Sequence, residues 1–216
     1  MDRIYEIDTM TTKTGSTRHN NPEVLRANVL DTAARLFQAR GYHATGMREI
    51  IDATGVSSGA LHHHFPTKHA LALAVIQDRV APIVRETWID PVRTAPSLGK
   101  AIALIFGGVA RGIEQRGAVS GCPLNNLALE LSASEPGFRE ALRAIFAEWQ
   151  AALEERLSRT RGGALLDRAK LAAAATFVVA SYSGSMNLAK AMQTAAPVRS
   201  TSATLAKWLA DRELDA

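Results

Sequence analysis

Side chains that can donate hydrogen bonds to anionic oxygens recur between Thr45 and Lys68. Arginine, lysine and histidine bind phosphate oxygens, while serine and threonine hydroxyls bind either phosphates or the edges of bases. Small residues, Gly59 and Ala60, lie among these donors. The group therefore suits close recognition of a polyanion such as a nucleic acid.

Hydrophobic spacing in the same segment predicts two short helices joined by a tight turn. In each helix the apolar residues share one face: Met47, Ile50 and Ile51 in the first, and Ala60, Leu61 and Phe65 in the second. Between the helices, Gly55 can adopt a positive φ, Val56 can fill the angle, and Ser57 can cap the second helix. This pattern is typical of a helix-turn-helix, whose second helix enters the major groove of DNA.

The donors can be divided by the atoms they would contact on a duplex. We expect phosphates to be held by Thr45, Arg48, Ser57, His62 and Lys68. We expect base edges to be faced by Ser58, Gly59, Ala60 and His63. Phosphate contacts position a protein on DNA, whereas base contacts specify the sequence.

The residues from 22 to 75 resemble the DNA-binding domain of TetR-type transcriptional regulators. The resemblance rests on Leu36-Phe37, Gly41, a capping Thr45, Gly55-Val56-Ser57, Gly59, Phe65 and Lys68. Four positions depart from the usual pattern, namely Gly46, Ile51, Thr54 and His62. The first three change packing, whereas His62 replaces a tyrosine that usually contacts a phosphate. The resemblance implies a homodimeric regulator, most often a repressor released by a small molecule.

Composition permits this function without requiring it. The chain has 216 residues, a net charge of +4 and a pI near 9.5. Up to Ala70, eight basic residues face seven acidic ones, so an electropositive surface would have to come from placement. The single cysteine, Cys122, excludes an intramolecular disulfide and suits a cytoplasmic protein, and the polar first residues predict no secretory signal.

Helical periodicity continues to the C-terminus and predicts an all-α protein. We expect a mobile N-terminal arm over residues 1–20, a three-helix helix-turn-helix domain over residues 21–68, and a helical effector-binding and dimerisation domain over residues 69–216. Arm residues Lys13 and Arg18 could enter the minor groove. The later segments predict a kink at Pro82, a loop over residues 91–97, a helix over about 165–193 and a final helix over about 201–212.

The segment from Leu171 to Ala189 lacks charged residues, but its hydroxyls and an asparagine make a membrane span a poor interpretation. Its small residues instead favour close approach of another helix: Ala172, Ala175, Ser183 and Gly184. The family resemblance implies a dimer through the last two helices, with Leu205, Trp208 and Leu209 on the final one. A purely intramolecular core is the alternative.

Apolar and polar residues of the central body could line an effector pocket. The candidates are Phe106, Val109, Cys122, Asn126, Glu130, Phe146, Trp149, Tyr182 and Met186, any of which could instead be core. The segment from Gly121 to Glu130 resembles one in a subgroup of TetR regulators that sense electrophiles through the cysteine or bind ligands near it. A helix start favours the thiolate of Cys122, but a buried structural role is the alternative.

Other chemistry is less well supported. Consecutive residues of a helix point about 100° apart, so His62-His63-His64 does not make a chelating face, and we expect no metal and no cofactor. A cysteine-dependent enzyme would need a histidine base, yet all six histidines lie in the N-terminal region. A helical adaptor that uses the turn only for packing is the other alternative.

Overall fold

The computed structural model describes residues 21–133 and 136–215, and all regular structure in these ranges is helical. The α-helices run over Pro22–Arg40 (α1), Met47–Thr54 (α2), Ser58–His64 (α3), Lys68–Val75 (α4), Ala81–Val84 (α5), Asp90–Thr94 (α6), Leu98–Arg116 (α7), Pro123–Leu131 (α8), Pro136–Ser158 (α9), Arg168–Met192 (α10) and Ala196–Ala210 (α11). The predicted all-α class is confirmed. The predicted arm, with Lys13 and Arg18, lies outside the described residues.

The described chain divides into two compact units. The first, here called the reader unit, comprises the described residues up to Ile83 together with Pro123–Leu142. The second, the body unit, comprises Val84–Cys122 and the described chain from Arg143 onwards. This division differs from the predicted boundary at residue 68, because α4, α8 and the start of α9 belong with the helix-turn-helix.

The first helix of the reader unit forms as its sequence pattern predicts. The side chain of Asn21 accepts a hydrogen bond from the Glu23 N–H, and Pro22 occupies the first turn, where a missing N–H costs nothing. The helix buries Val29 and Phe37 and ends at Arg40, followed by the capping Gly41, whose φ is +89°. It packs against α2 and α4.

The predicted turn between α2 and α3 is confirmed in detail. Gly55 adopts a left-handed conformation with φ of +70°, and its N–H donates to the Ile51 carbonyl at 2.9 Å. Ser57 Oγ accepts the Ala60 N–H at 3.2 Å, and Val56 is buried. The cap assigned to Thr45 is wrong, because Gly46 is the N-cap of α2 and makes no side-chain bond there.

Two prolines shape the segment between α4 and α6. Ala81 and Asp90 each donate a backbone N–H five residues back, which forms π turns immediately before Pro82 and Pro91. A widened turn accommodates a proline ring that would clash in a regular helix. The chain therefore stays helical through Thr94, and the predicted loop over residues 91–97 is too long.

The end of the body unit also differs from the prediction. The final helix begins at Ala196 rather than near residue 201, because Pro197 lies in its first turn. The preceding helix ends at Met192, with Gln193 in the left-handed region. Contacts of α11 with α7 and with α10 build the core around it. Within the described residues, no helix has both the length and the apolar character needed to cross a membrane.

Two glycines of the reader unit should respond oppositely to replacement by alanine. Gly55→Ala places a Cβ on a residue with φ of +70° and should lower the free energy of unfolding by about 1 kcal/mol. Gly59 lies inside α3 with open space around the position of a Cβ, so Gly59→Ala should raise it by about 0.5 to 1 kcal/mol. Urea unfolding at one fixed protein concentration measures both, and equal effects would contradict the assignment of the turn.

Candidate nucleic-acid interface and effector region

The surface of α3 is open at its N-terminal end. Ser58, Gly59, His62 and His63 are exposed, and Ala60 is half-buried. On the opposite side, Leu61 is buried, and so is Phe65, which caps the C-terminal end of the helix. A Cβ built on Gly59 would meet nothing within 4 Å beyond its own helix among the described residues. Another molecule can therefore approach the backbone of this helix closely, which is what reading of base edges requires.

The predicted phosphate ligands do not all remain available. Arg48 is accessible, since its side chain is 87% exposed and its ion pair with Asp52, at 3.2 Å, lies at the surface. Ser57 and His62 are exposed as well. The phosphate role assigned to Thr45 is wrong for its side chain, which is fully buried and donates its hydroxyl to the Gly41 carbonyl at 2.8 Å.

Lys68 occupies a half-buried position within the reader unit. Its ammonium lies 4.2 Å from the centre of the Tyr42 ring and 3.4 Å from the His43 carbonyl oxygen, to which it donates. Burial lowers the pKa of Lys68 below its usual value, and the carboxylate of Glu130 acts in the opposite direction. One of its three ammonium donors is thus directed to the loop after α1.

Most other charges of the reader unit are paired. Arg26 binds Asp78 at 2.6 Å, Arg79 binds Asp31 at 2.5 Å, and Arg40 binds Glu49. Exposed pairs of this kind contribute about 0 to 1 kcal/mol each to stability. Their larger effect is to neutralise charge, which is consistent with the near-neutral composition of this part of the chain.

Two residues predicted to line an effector pocket instead contact the first helix and the loop that follows it. Asn126 donates to the side chain of Gln38 at 3.0 Å. Glu130 accepts the backbone N–H groups of Tyr42 at 2.8 Å and His43 at 2.6 Å. Both belong to α8 and hence to the reader unit. Sequence spacing could not show these contacts, because the partners lie 87 or 88 residues apart.

Four aromatic rings form a cluster in the body unit. Trp88 packs against Trp149 with ring centres 4.6 Å apart and against Tyr182 at 4.8 Å, and Phe106 contacts Tyr182 at 5.5 Å. All four side chains are buried. The predicted pocket residues Phe106, Trp149 and Tyr182 are thus brought together. Trp88 was not among the predicted pocket residues. It follows Val84 by four residues, and this spacing places both side chains on one apolar face of a helix.

Hydrogen bonding within this aromatic cluster is incomplete. The indole N–H groups of Trp88 and Trp149 are buried and have no partner among the described residues. Such donors are usually satisfied when buried, since an unpaired one costs about 1 to 3 kcal/mol. Val109 and Met186 are also buried in this unit, whereas Phe146, stacked on Trp149, is half-buried. The cluster offers two donors within an apolar surrounding.

Cys122 lies immediately before α8 and is 8% exposed. Limited access slows reaction of a thiol with electrophiles in solution. This burial is consistent with the structural or pocket-lining alternative for the residue.

An apolar stripe remains accessible on α10. Phe177, Gly184, Leu188 and Met192 are exposed and follow the spacing of one helical face. Trp208 of α11 extends the stripe, since its ring centre lies 4.7 Å from that of Phe177. The predicted interface is corrected in part: Ala175, Leu205 and Leu209 are buried within the chain itself.

Comparisons with known proteins agree with this organisation. Residues 29–75 match the family model described as bacterial regulatory proteins, tetR family, and residues 99–204 match that of the LmrA/YxaF-like C-terminal domain of transcriptional regulators. The helix-turn-helix regulator LmrA of Bacillus subtilis is 29% identical over 80% of this chain and 90% of its own. The uncharacterised regulator YxaF of the same organism is 30% identical over 61% of this chain and 69% of its own.

Solved structures give the same result. A TetR transcriptional regulator from Chloroflexus aurantiacus superimposes with a TM-score of 0.77 and 28% identity, over 90% of this chain and 98% of the other. The helix-turn-helix, the helical body and the two matched family models together leave one conclusion. The chain belongs to the TetR family of helix-turn-helix transcriptional regulators.

Proposed function

We propose that the protein is a homodimeric repressor that places one α3 of each subunit in the major groove of a palindromic operator and leaves it when a small molecule binds the body unit. The observation that carries the proposal is the exposed N-terminal end of α3, whose other side is held in the core by buried Leu61 and Phe65. Two such helices about one DNA turn apart match the symmetry of a palindrome.

The roles of individual residues follow from what each side chain can reach. Ser58, Gly59, Ala60 and His63 face the base edges, and the missing side chain of Gly59 lets the helix approach the groove. Arg48, Ser57 and His62 bind phosphates. Lys68 contributes through the ammonium N–H groups that do not donate to the His43 carbonyl. Arg48 exchanges Asp52 for a phosphate at little cost, because both members of that ion pair are well exposed.

Operator binding should separate the two classes of contact. The protein should bind a pseudo-palindrome in its own promoter region with a Kd of about 10⁻⁸ to 10⁻¹¹ M. His63→Ala should cost about 1 to 3 kcal/mol and relax specificity at one base position. Arg48→Ala should weaken operator and random duplex alike and lower the slope of log K against log salt by about 1.

A matched control for Arg48 exists in the body unit. Arg159, which directly follows α9, makes the same kind of i,i+4 ion pair with Glu155 at 2.6 Å, and its side chain is 66% exposed. Arg159→Ala should leave both affinity and salt slope unchanged in the same mobility-shift titration. Equal affinity of the unaltered protein for promoter and random duplex would contradict the proposal and favour the adaptor alternative.

The apolar stripe of α10 supports dimerisation through the last two helices. Exposed Phe177, Leu188 and Met192 would be covered by the equivalent helix of a second subunit. Gly184 permits close approach, because a Cβ built there would meet nothing within 4 Å beyond its own helix in the described part of the chain. Monomers seldom leave several large apolar side chains together in water. The interface is isologous, so each residue meets its own symmetry mate or a close neighbour.

A charge on this stripe should dissociate the dimer. Leu188 is 56% exposed, so Leu188→Glu should leave the subunit folded but shift sedimentation towards the monomer and weaken operator binding. Leu129 is a matched control, because it is a helical leucine of the reader unit and 75% exposed. Leu129→Glu should leave the protein dimeric. A dimer that survives Leu188→Glu places the interface elsewhere.

The aromatic cluster is the proposed effector site. Its rings favour a flat apolar ligand, and the N–H groups of Trp88 and Trp149 favour one that carries hydrogen-bond acceptors such as carbonyl oxygens. The dimer has one conformation that binds the operator and one that does not. A ligand that binds the second more tightly shifts the equilibrium towards it, and the size of the shift is set by the difference between its affinities for the two.

Removing one indole donor should weaken the response to such ligands. Trp149→Phe keeps a ring but loses the N–H, so about ten-fold more aromatic ketone should be needed to release the operator. Leu165→Ala, at an exposed residue of the body unit outside both the cluster and the α10–α11 surface, is the control and should respond normally. Thermal unfolding should confirm that both variants are folded. An unchanged response of Trp149→Phe would exclude its N–H from ligand binding.

A further inference from the structure

The loop between α1 and α2 is held by a carboxylate from a distant helix. Glu130 Oε2 accepts the N–H of Tyr42 at 2.8 Å, and Oε1 accepts the N–H of His43 at 2.6 Å. Charge-assisted bonds of this length are roughly twice as strong as neutral ones. One carboxylate therefore fixes two consecutive peptide groups of the loop.

Glu130 occupies an unfavourable place in its own helix. Position 130 lies in the last turn of α8, which ends at Leu131, and the negative end of a helix dipole disfavours a carboxylate. The two N–H groups and the charge of Lys68 compensate for this. A residue that conflicts with local preference and is satisfied only by tertiary contacts marks a functional constraint.

Gly41 matches the carboxylate in shape. A Cβ at this position would lie 3.1 Å from both Glu130 oxygens, and the residue has a φ of +89°. Glycine is thus required twice, for its backbone angle and for the space that Glu130 fills. The two positions form a fitted pair although no sequence motif connects them.

The loop that Glu130 holds determines where the reading helices begin. Gly46 caps α2 only five residues after Gly41, and the Thr45 hydroxyl ties the two ends of the loop together. Tyr42 is buried against Phe37 and Phe138, with ring centres 5.5 Å apart in each case. The path of the chain into α2 is therefore set by this loop, and α3 follows α2 through the rigid turn at Gly55.

We propose that Glu130 is a positioning residue for operator binding, which acts by fixing the Tyr42 and His43 peptide groups and with them the entry of the chain into α2 and α3. The proposal rests on the proposed role of α3 in reading DNA. Glu130 itself touches no DNA in this arrangement. By positioning α2 and α3, Glu130 raises the affinity for the operator. Its negative charge alone would lower that affinity, because it repels phosphates.

The sign of the effect makes the test sharp. Glu130→Gln in the full-length protein removes a negative charge, so simple electrostatics predicts equal or tighter DNA binding. Loss of positioning predicts about ten-fold weaker operator binding, and Glu130→Ala should be weaker still, since charged hydrogen bonds to two donors are lost. Glu140 is a matched control, because it is an exposed glutamate of the same unit, and Glu140→Gln should not weaken binding.

Two further readouts distinguish positioning from a general loss of stability. Titrations at a temperature where circular dichroism shows full folding should reveal a greater loss for operator than for random duplex. Hydrogen exchange without DNA should speed up at the amides of Tyr42 and His43 in both Glu130 variants, while Glu140→Gln leaves them protected. If Glu130→Ala proves unstable, Glu130→Asp replaces it in the test. It keeps the charge on a shorter side chain and should retain part of the affinity for the operator.

The outcomes separate this proposal from the proposed function. Unchanged or tighter operator binding by Glu130→Gln overturns the positioning role, as does unchanged exchange at the two amides. Failure of the unaltered protein to prefer its operator instead contradicts operator recognition by α3. In that case faster exchange in the variants still supports the hold of Glu130 on the loop, because it is measured without DNA.

Discussion

Burial on one side of α2 and α3 is the constraint on which DNA recognition depends. These helices have 8 and 7 residues, below the roughly 12 to 15 that an isolated helix needs in water. Ile50, Val56 and Leu61 are buried and hold them in the core. Since this anchoring supplies the stability, the exposed side of α3 can carry serine, glycine and histidine, which are poor helix formers. The side chains available for recognition thus lie on a helix that is stabilised by its buried side.

Placement of charge matters more than its amount in the reader unit. Basic residues are almost balanced by acidic ones, and several, such as Arg26 and Arg79, are paired across helices. Arg48 differs because its side chain is 87% exposed and that of its partner Asp52 is 63% exposed, so water or another anion can reach both. With so little net charge in this part of the chain, an electropositive surface can come only from where the basic side chains are placed.

Packing assigns the predicted site residues to two regions. Phe106, Trp149 and Tyr182 meet in the buried aromatic cluster proposed as the effector site, where the indole donors have no partner among the residues the structure describes. Asn126 and Glu130 lie instead on a helix of the reader unit and contact the region that leads into α2. The helix α8 is thereby part of the DNA-reading structure, although it lies far from it in sequence.

The sequence by itself determined the features that depend on neighbouring residues: the helical faces, the turn at Gly55 and the cap at Ser57, because helical period and backbone angles are local properties. Helix ends near Pro91 and Pro197 were predicted less well, since a proline fits a first turn or follows a π turn when packing favours it. Only the tertiary structure decided the partners of Thr45 and Glu130. Periodicity shows which face of a helix is apolar, whereas contacts 88 residues apart depend on which element covers that face.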